Sequence, residues 1–318
     1  GMGALRAGLH AGGRVLLSLE ESWKRPRTQC SSALALTNPG PLMAVQLKPE
    51  RRWALAEKLA LRQRLRQYYA EVSDYTAFGS PSAQVHCWEF VAAALQQRIS
   101  VSAKGSPEIS LLEVGAGRSG LGAWLAEHGL RNRVHWVAQD VTPQNEDWLR
   151  DSADAVVIGD VADIDVTGRF DVIVSTYVLE HTVDPQEHLN TLRRLLAPGG
   201  SLFLFCPRYD VPGYAAPSSR HLRHFDRFGL ILRVAGYRLL TMISGTPAFL
   251  IQSDLAAFHG RFFTDADAVH WSSLLDLRLW ARQEALSFRK LAIGAPAFGT
   301  RDWIVKRLLT CAVQISKK

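Results

Sequence analysis

Three glycines spaced G-x-G-x-x-G, Gly115, Gly117 and Gly120, stand in the stretch LLEVGAGRSGLGAWLAEHG, between an apolar run and a segment of helical periodicity. Glycines at a strand-to-helix turn let the backbone take positive φ and approach a ligand with no Cβ in the way. A carboxylate, Glu113, precedes the first of them by two residues. Beside a pyrophosphate it would repel, whereas a cationic ligand would be attracted. Two further acids, Asp140 in VAQDV and Asp160 in VVIGDVAD, close the next two apolar runs. At the first, a carboxylate can accept both hydrogen bonds of a ribose diol. At the second, a side-chain oxygen can accept from an adenine amino group while Val161 packs on the ring. Each aspartate alone reads as a cap or turn residue. Two at successive strand ends beside a glycine loop read as a nucleoside site, although the glycine spacing by itself is a weak signal.

The elements that would position these residues follow from the apolar pattern. ISLLEVG, RVHWVAQD, DAVVIGD, FDVIVST and SLFLFCP are short apolar runs, and helical stretches such as GLGAWLAEHG, NEDWLRDSA and DPQEHLNTLRRLLAPGG alternate with them. Strands apolar on consecutive positions are buried on both faces, so the pattern predicts an α/β fold with a doubly wound, mostly parallel sheet. A helix over SSRHLRHFDRFGLILRVAG and a strand over YRLLTMISG continue the alternation. The final segments, ADAVHWSSLLDLRLWARQEALSFRKLAIG and RDWIVKRLLTCAVQISKK, read as helical, the last with a strand as the alternative. Ahead of the sheet, PERRWALAEKLALRQRLRQYYAEV is an amphipathic helix with a basic face, and a second helix spans Ser82 to Arg98. The expected organisation is a poorly ordered basic arm over 1–49, a helical cover over 50–105, the nucleoside-binding core over 106–246 and a mainly helical extension over 247–318.

Composition narrows the function classes. The formal charge is +7 and 47% of the 318 residues are hydrophobic, enough for a sizeable core. Residues 1–70 hold twelve Lys/Arg against four Asp/Glu, and residues 288–318 hold seven against one, so the middle of the chain is acidic. A nucleic-acid partner is not expected, because the basic charge lies away from the predicted binding face. The four cysteines are far apart with no CxxC spacing, which suggests neither a metal site nor disulfides and fits a reducing cytoplasm. No apolar run is long enough to span a bilayer.

The order of these motifs resembles the class I S-adenosylmethionine-dependent methyltransferases from about Ile109 to Gly245. LLEVGAGRSG is similar to that family's glycine motif, VAQDV to its ribose acid, IGDVADI to its adenine segment and LRRLLAPGGSLFLFCP to its fifth strand with the preceding helix. The segment FDVIVSTYVLEHTVDP lacks the Asn/Asp-Pro-Pro-Tyr/Phe sequence of enzymes that methylate nucleic-acid amino groups; it resembles the ubiquinone-biosynthesis O-methyltransferases and related small-molecule enzymes. One departure is Ser119, which stands where the commonest family pattern has a third glycine.

The resemblance implies a seven-stranded Rossmann-like sheet with S-adenosyl-L-methionine held by Glu113, Gly115, Ala116, Gly117, Arg118, Ser119, Asp140, Val141, Asp160, Val161, Thr176 and Tyr177. It also implies methyl transfer to a small organic acceptor, at oxygen. His181 is the candidate base, since an ordinary imidazole titrates near neutrality. His221 is a second candidate in a segment similar to the small-molecule enzymes' H-x-R-x-F, and a spacing of three places His224 on the same helical face as His221. Tyr68, Tyr69 and Tyr75, with His224, are the candidate substrate wall under a cover that excludes water. Methyl transfer from a sulfonium needs alignment more than a catalytic triad. Alternatives are an NAD-type oxidoreductase, a non-catalytic cofactor-binding scaffold, and a lipid or quinone methyltransferase with its basic ends on anionic headgroups.

Overall fold

The computed structural model describes residues 47–71, 81–101, 108–164, 170–260, 263–293 and 307–317. The expected arm over 1–49 lies outside these residues except for Leu47–Pro49, which form a strand, β1. Two helices follow, α1 (Leu55–Glu71) and α2 (Pro81–Val101). The core then alternates β2 (Ile109–Val114), α3 (Leu121–Glu127), β3 (Val134–Asp140), α4 (Glu146–Arg150), β4 (Ala155–Ile158), β5 (Phe170–Thr176), α5 (Pro185–Leu195) and β6 (Leu196–Pro207). The chain continues through α6 (His224–Ser244), β7 (Leu250–Gln252), β8 (His270–Trp271), α7 (Leu274–Gln283), β9 (Ser287–Lys290) and β10 (Thr310–Ser316).

Seven strands form one sheet in the order β4-β3-β2-β5-β6-β10-β9. The first five run parallel, and β10 lies antiparallel to both β6 and β9. From β2 the chain winds outward to β3 and β4, then crosses back to β5, which makes the carboxyl ends of β2 and β5 the topological switch point where such sheets bind ligands. Both faces are covered, as consecutive apolar positions require. Leu111 of β2 faces a layer built from Trp88, Val91 and Leu95 of α2 with Leu121 and Leu125 of α3. Leu112, one residue on, faces Leu189 and Leu192 of α5 and Trp280 of α7.

A smaller antiparallel sheet, β1-β7-β8, stands apart from this one. Its residues also alternate: Leu47 and Leu250 pack on Leu230 and Val234 of α6, whereas Ile251 and Val269 pack on Leu61 and Leu65 of α1. The small sheet is therefore sandwiched between α1 and α6.

Four expectations need correction. The cover over 50–105 divides, because α2 is a layer of the main sandwich and only α1 belongs to the small-sheet unit. The strand expected over 237–245 is the second half of α6, whose buried positions Leu230, Val234, Arg238 and Thr241 keep helical spacing up to the left-handed cap Gly245. The apolar residues that suggested a strand, Leu239, Leu240, Met242 and Ile243, point outward. The helix favoured over 301–318 is instead strand β10, with Cys311, Val313 and Ile315 opposite Cys206, Leu204 and Leu202. The segment 266–294, described to residue 293, is helical only through α7 and otherwise supplies β8 and β9. The main sheet thus takes its last two strands from the region expected as a helical extension, so the boundary after residue 246 does not divide the fold.

One buried ion pair ties the helices together: Arg238 of α6 meets Asp276 of α7 and also donates to the Trp271 carbonyl at 2.6 Å. Asp276 in turn accepts from the Ala248 amide at 2.8 Å. The strand assignment of the chain's end is open to test, because Val313 is fully buried on β10. Val313→Asp places an unpaired charge in the core and should cost about 3 kcal/mol or more, measured by urea denaturation. Native stability in that variant would return the segment to the surface helix of the sequence reading.

Candidate active site

The glycine loop leaves β2 at the switch point, and its shape depends on two left-handed residues, Gly115 (φ 64°) and Gly117 (φ 58°). A Cβ on Gly115 would lie 2.2 Å from Val178 Cγ2, so the turn after β5 closes directly on it. A Cβ on Gly117 would meet nothing within 4 Å, which leaves a bare stretch of backbone facing open space. Two buried side chains of β3 hold this loop. The Asp140 carboxylate accepts from the Gly117 amide at 2.6 Å and from the Thr142 amide at 2.8 Å. The Gln139 side chain accepts from the Gly115 amide at 3.2 Å and donates to the Gly159 carbonyl at 2.6 Å, linking the turns after β2 and β4. Gln139 was not among the sequence candidates; its only signal was a polar residue at the end of a strand that is otherwise buried.

Glu113 does not act as the free carboxylate expected. It is buried beneath the loop, and burial pushes its carboxyl up to about 8. At neutral pH it is mostly the uncharged acid. It braces the loop through Ser119, whose hydroxyl donates to Glu113 Oε1 at 2.9 Å and accepts from the Leu121 amide at 3.0 Å. Ser119 therefore has a definite task in place of the missing glycine. Ala116 is buried with its amide on the Gln139 carbonyl, and Arg118 is exposed.

The nucleoside candidates separate by exposure. Asp160 caps a short turn by accepting from the Ala162 amide at 3.0 Å. Val161 is turned into the core with Leu189 and Leu192, so the open apolar surface at the strand tips is Val141, 59% exposed. At the tip of β5, Thr176 is buried with a hydroxyl that has no hydrogen-bond partner. Tyr177 is held at φ 58°, an uncommon conformation for a residue with a side chain, and remains 38% exposed.

A second group of side chains stands beyond β5. A 3-10 turn, Leu179–His181, carries Glu180 and His181, and the small-sheet unit is hydrogen-bonded to it: the Val269 amide donates to the Glu180 carbonyl at 2.8 Å, and His270 Nδ1 lies 3.1 Å from the Leu179 carbonyl. This contact brings in two aspartates that the sequence reading did not single out. His181 Nδ1 lies 3.1 Å from Asp267 Oδ2, which also accepts from the Tyr69 hydroxyl at 2.6 Å. Asp265 accepts from the Tyr209 hydroxyl at 3.1 Å. Glu180 is fully buried, and burial pushes it up to about 8. Burial, the largest single effect, would lower the pKa of His181, but Asp267, together with Glu180 and Asp265 behind it, outweighs this and holds the imidazole's proton up to about 10. The expectation of an imidazole poised near neutrality does not hold.

The remaining candidates fall elsewhere. His221 precedes α6, with Nδ1 3.0 Å from the Ser218 carbonyl and Nε2 3.0 Å from Asp254 Oδ2. His224 is the exposed first residue of that helix, so the two histidines do not share a helical face. Tyr68 packs beside Tyr69 with ring centroids 5.6 Å apart. Tyr75 lies outside the described residues.

Comparison with known proteins agrees with this arrangement in one respect that carries weight. The family model of a methyltransferase domain matches residues 87–242, the span from α2 to the end of α6. Residues 87–242 thus match a methyltransferase domain, and they build most of the Rossmann-like sheet expected of class I. No curated protein matches the chain in sequence. Among solved structures, an S-adenosylmethionine-dependent methyltransferase from Mesorhizobium loti is 12% identical, covers 66% of this chain and 92% of its own, and gives a TM-score of 0.42. The 1,6-didemethyltoxoflavin-N1-methyltransferase of Burkholderia thailandensis is 14% identical over 84% of this chain and 91% of its own, with a TM-score of 0.47. The plantazolicin methyltransferase BamL is 10% identical over 82% and 97%, with a TM-score of 0.46.

The loop geometry makes a paired prediction. Gly115→Ala should lower the melting temperature through both the Val178 clash and the left-handed backbone. Adding Val178→Ala should restore only the steric part, because φ 64° remains strained for alanine. Full recovery in the double variant would mean that the backbone at Gly115 is not constrained.

Proposed function

We propose that this chain transfers a methyl group from S-adenosylmethionine to an oxygen of a small organic acceptor. The observation that carries the reading is the open backbone at Gly117, pinned by the buried Asp140 carboxylate at the switch point of a sheet whose core is a methyltransferase domain. S-adenosylmethionine supplies an activated methyl on a sulfonium. The residues present fit such a ligand: bare main chain for its amino-acid part, Asp140 for the ribose, exposed Val141 against the base and Asp160 near the adenine edge. Thr176 offers a buried hydroxyl without a partner beside them. Glu113 shapes this site through Ser119 and contributes little charge at neutral pH.

On the acceptor side, the cluster of Tyr69, Tyr177, His181, Asp265 and Asp267 is polar, aromatic and partly exposed. His181 is the member that a hydroxyl or carboxylate oxygen meets with a proton to offer. In this reading it orients and stabilises an acceptor oxygen as a donor, and does not strip a proton from it. Acceptors that ionise readily, such as acidic phenols and carboxylic acids, suit that arrangement, because they need no further base. An NAD-type oxidoreductase and a binding scaffold without turnover remain the competing outcomes of the assay.

A second reading rests on α6. Phe225, Phe228, Leu232, Leu239 and Ile243 form an exposed stripe at helical spacing, with Arg51, Arg52 and Arg223 exposed on the same unit. An apolar stripe flanked by cations suits an anionic membrane surface, and a lipid-soluble acceptor such as a quinone would be reached there. Peripheral contact would then run through α6 and not through the basic ends of the chain. Phe225→Asp with Phe228→Asp should abolish co-sedimentation with anionic vesicles, and equal pelleting of variant and wild type would dismiss this reading.

The decisive experiment is calorimetric binding of S-adenosylhomocysteine, followed by mass-spectrometric detection of methylated phenolic, carboxylic and quinol acceptors. Asp140→Ala should weaken S-adenosylhomocysteine by about 1–3 kcal/mol; unchanged affinity would remove Asp140 from the site. The held proton on His181 has a kinetic consequence. With a responsive acceptor, kcat/KM should lack an acid limb near the ordinary imidazole value of about 6.5 and should decline as pH approaches about 10, where His181 deprotonates. An acid limb near neutrality that disappears in His181→Gln would reinstate the base role.

A further inference from the structure

Three side chains outside the cluster just described converge without a role in methyl transfer. His221 lies between the 3-10 turn Pro217–Ser219 and α6, Asp254 follows β7, and His259 ends the 3-10 turn Ala256–His259. His221 Nε2 is 3.0 Å from Asp254 Oδ2, and His259 Nε2 is 2.7 Å from Asp254 Oδ1. The two imidazoles stack with centroids 4.4 Å apart and planes 19° from parallel. One ligand atom from each of the three residues lies within 4.8 Å of the others.

The donor and acceptor roles do not balance for neutral side chains. His221 Nδ1 lies 3.0 Å from the Ser218 carbonyl, and a carbonyl only accepts, so Nδ1 carries the proton. In the neutral tautomer Nε2 then turns a lone pair toward Asp254. The Asp254 carboxylate likewise offers only acceptor oxygens to the two rings. At His221 lone pair faces lone pair unless a proton or another cation lies between them, whereas a neutral His259 can donate from Nε2. One extra proton on His221 would supply a donor there and would leave an imidazolium stacked on the His259 ring. One divalent ion satisfies all three groups at once. The backbone lock on Nδ1 is the outer-sphere contact that fixes a metal-binding histidine with Nε2 toward the ion.

We propose that His221, Asp254 and His259 form a binding site for a divalent transition metal of the zinc type. Two imidazole nitrogens and one carboxylate oxygen suit zinc, with cobalt(II) as its spectroscopic substitute. His221 is nearly buried, with 7% of its side chain exposed, whereas 36% of the His259 side chain is exposed, so the ion enters on the His259 side and keeps water in its fourth position there. The site joins the segment entering α6 to the loop leaving β7, and so fastens the small-sheet unit at its outer edge. This inference does not depend on the methyl acceptor or on S-adenosylmethionine binding.

The test uses the untagged full chain after dialysis against a chelator. Zinc titrated by calorimetry should bind one ion per chain with a dissociation constant of micromolar or lower, and should raise the melting temperature. Cobalt(II) should give the visible absorption of a tetrahedral or five-coordinate site. His259→Ala, a partly exposed substitution, should keep the native circular dichroism and weaken zinc at least tenfold, and His221→Gln should do the same. No stoichiometric uptake by the wild type, or uptake that both variants leave unchanged, would overturn the site and leave the cluster as a protonated hydrogen-bond network.

Discussion

The proposed donor site depends on the Asp140 carboxylate holding the Gly117 amide. A loop with two left-handed glycines has little reason of its own to keep one shape, since glycine loses more backbone freedom on ordering than any other residue. What fixes it is polar and buried. Asp140 grips Gly117, and Gln139 grips Gly115 while reaching across to the Gly159 carbonyl. Both side chains sit at the end of β3, paired with β2 on one side and β4 on the other. The register of three parallel strands is thereby converted into the shape of a cleft. Burial raises the pKa of Asp140, and the hydrogen bonds from Gly117 and Thr142 work against that rise.

The proposed acceptor side is built on a different plan. The turn after β5 is held by main-chain bonds to the segment before β8, so Glu180 and His181 of the methyltransferase domain meet Asp265 and Asp267 of the small-sheet unit. Each group alters its neighbours. Asp267 lies below the ordinary carboxylate range, with the His181 cation opposing its burial, while Glu180 and Asp265 are pushed up by burial. Charge is thereby concentrated in one pair, His181 with Asp267, which the Tyr69 hydroxyl joins from α1. The cover first expected from helices alone is a helix–sheet–helix sandwich that contributes side chains directly to this pair.

The parts that the sequence made legible share one property: their signal is local. Strands β2 to β6 announce themselves because parallel strands covered on both faces are apolar at consecutive positions. The loop residues from Gly115 to Ser119, with Asp140 and Asp160, lie at the ends of those runs. What was missed required partners distant in the chain. Strand β10 resembles an amphipathic helix in isolation, and only pairing with β6 decides between them. In α6 the exposed Leu239, Leu240, Met242 and Ile243 hid a helical period carried by Val234, Arg238 and Thr241. Asp265 and Asp267 looked like the start of a helix, and nothing nearby shows that they would neutralise a histidine more than eighty positions earlier. The proposed site at His221, Asp254 and His259 escaped for the same reason, since its spacing matches no compact ligand motif.

These two plans divide the work between backbone and side chain. The proposed donor site presents mainly main-chain groups, with Glu113 uncharged beneath it and Ser119 joined to it, so its fit depends on conformation and tolerates change in most side chains. The proposed acceptor wall presents ionised and aromatic side chains: Tyr177 and His181 from the turn after β5, Asp265 and Asp267 from the segment before β8, and Tyr69 from α1. On the proposed function, substitutions in the small-sheet unit would alter how an acceptor is held while Gly115, Gly117 and Asp140 remain as they are. Acceptor selectivity would then follow, on the same proposed function, from how firmly the small sheet is seated against the turn after β5. Its supports are the contact of Val269 with Glu180 and the Arg238–Asp276 pair behind it.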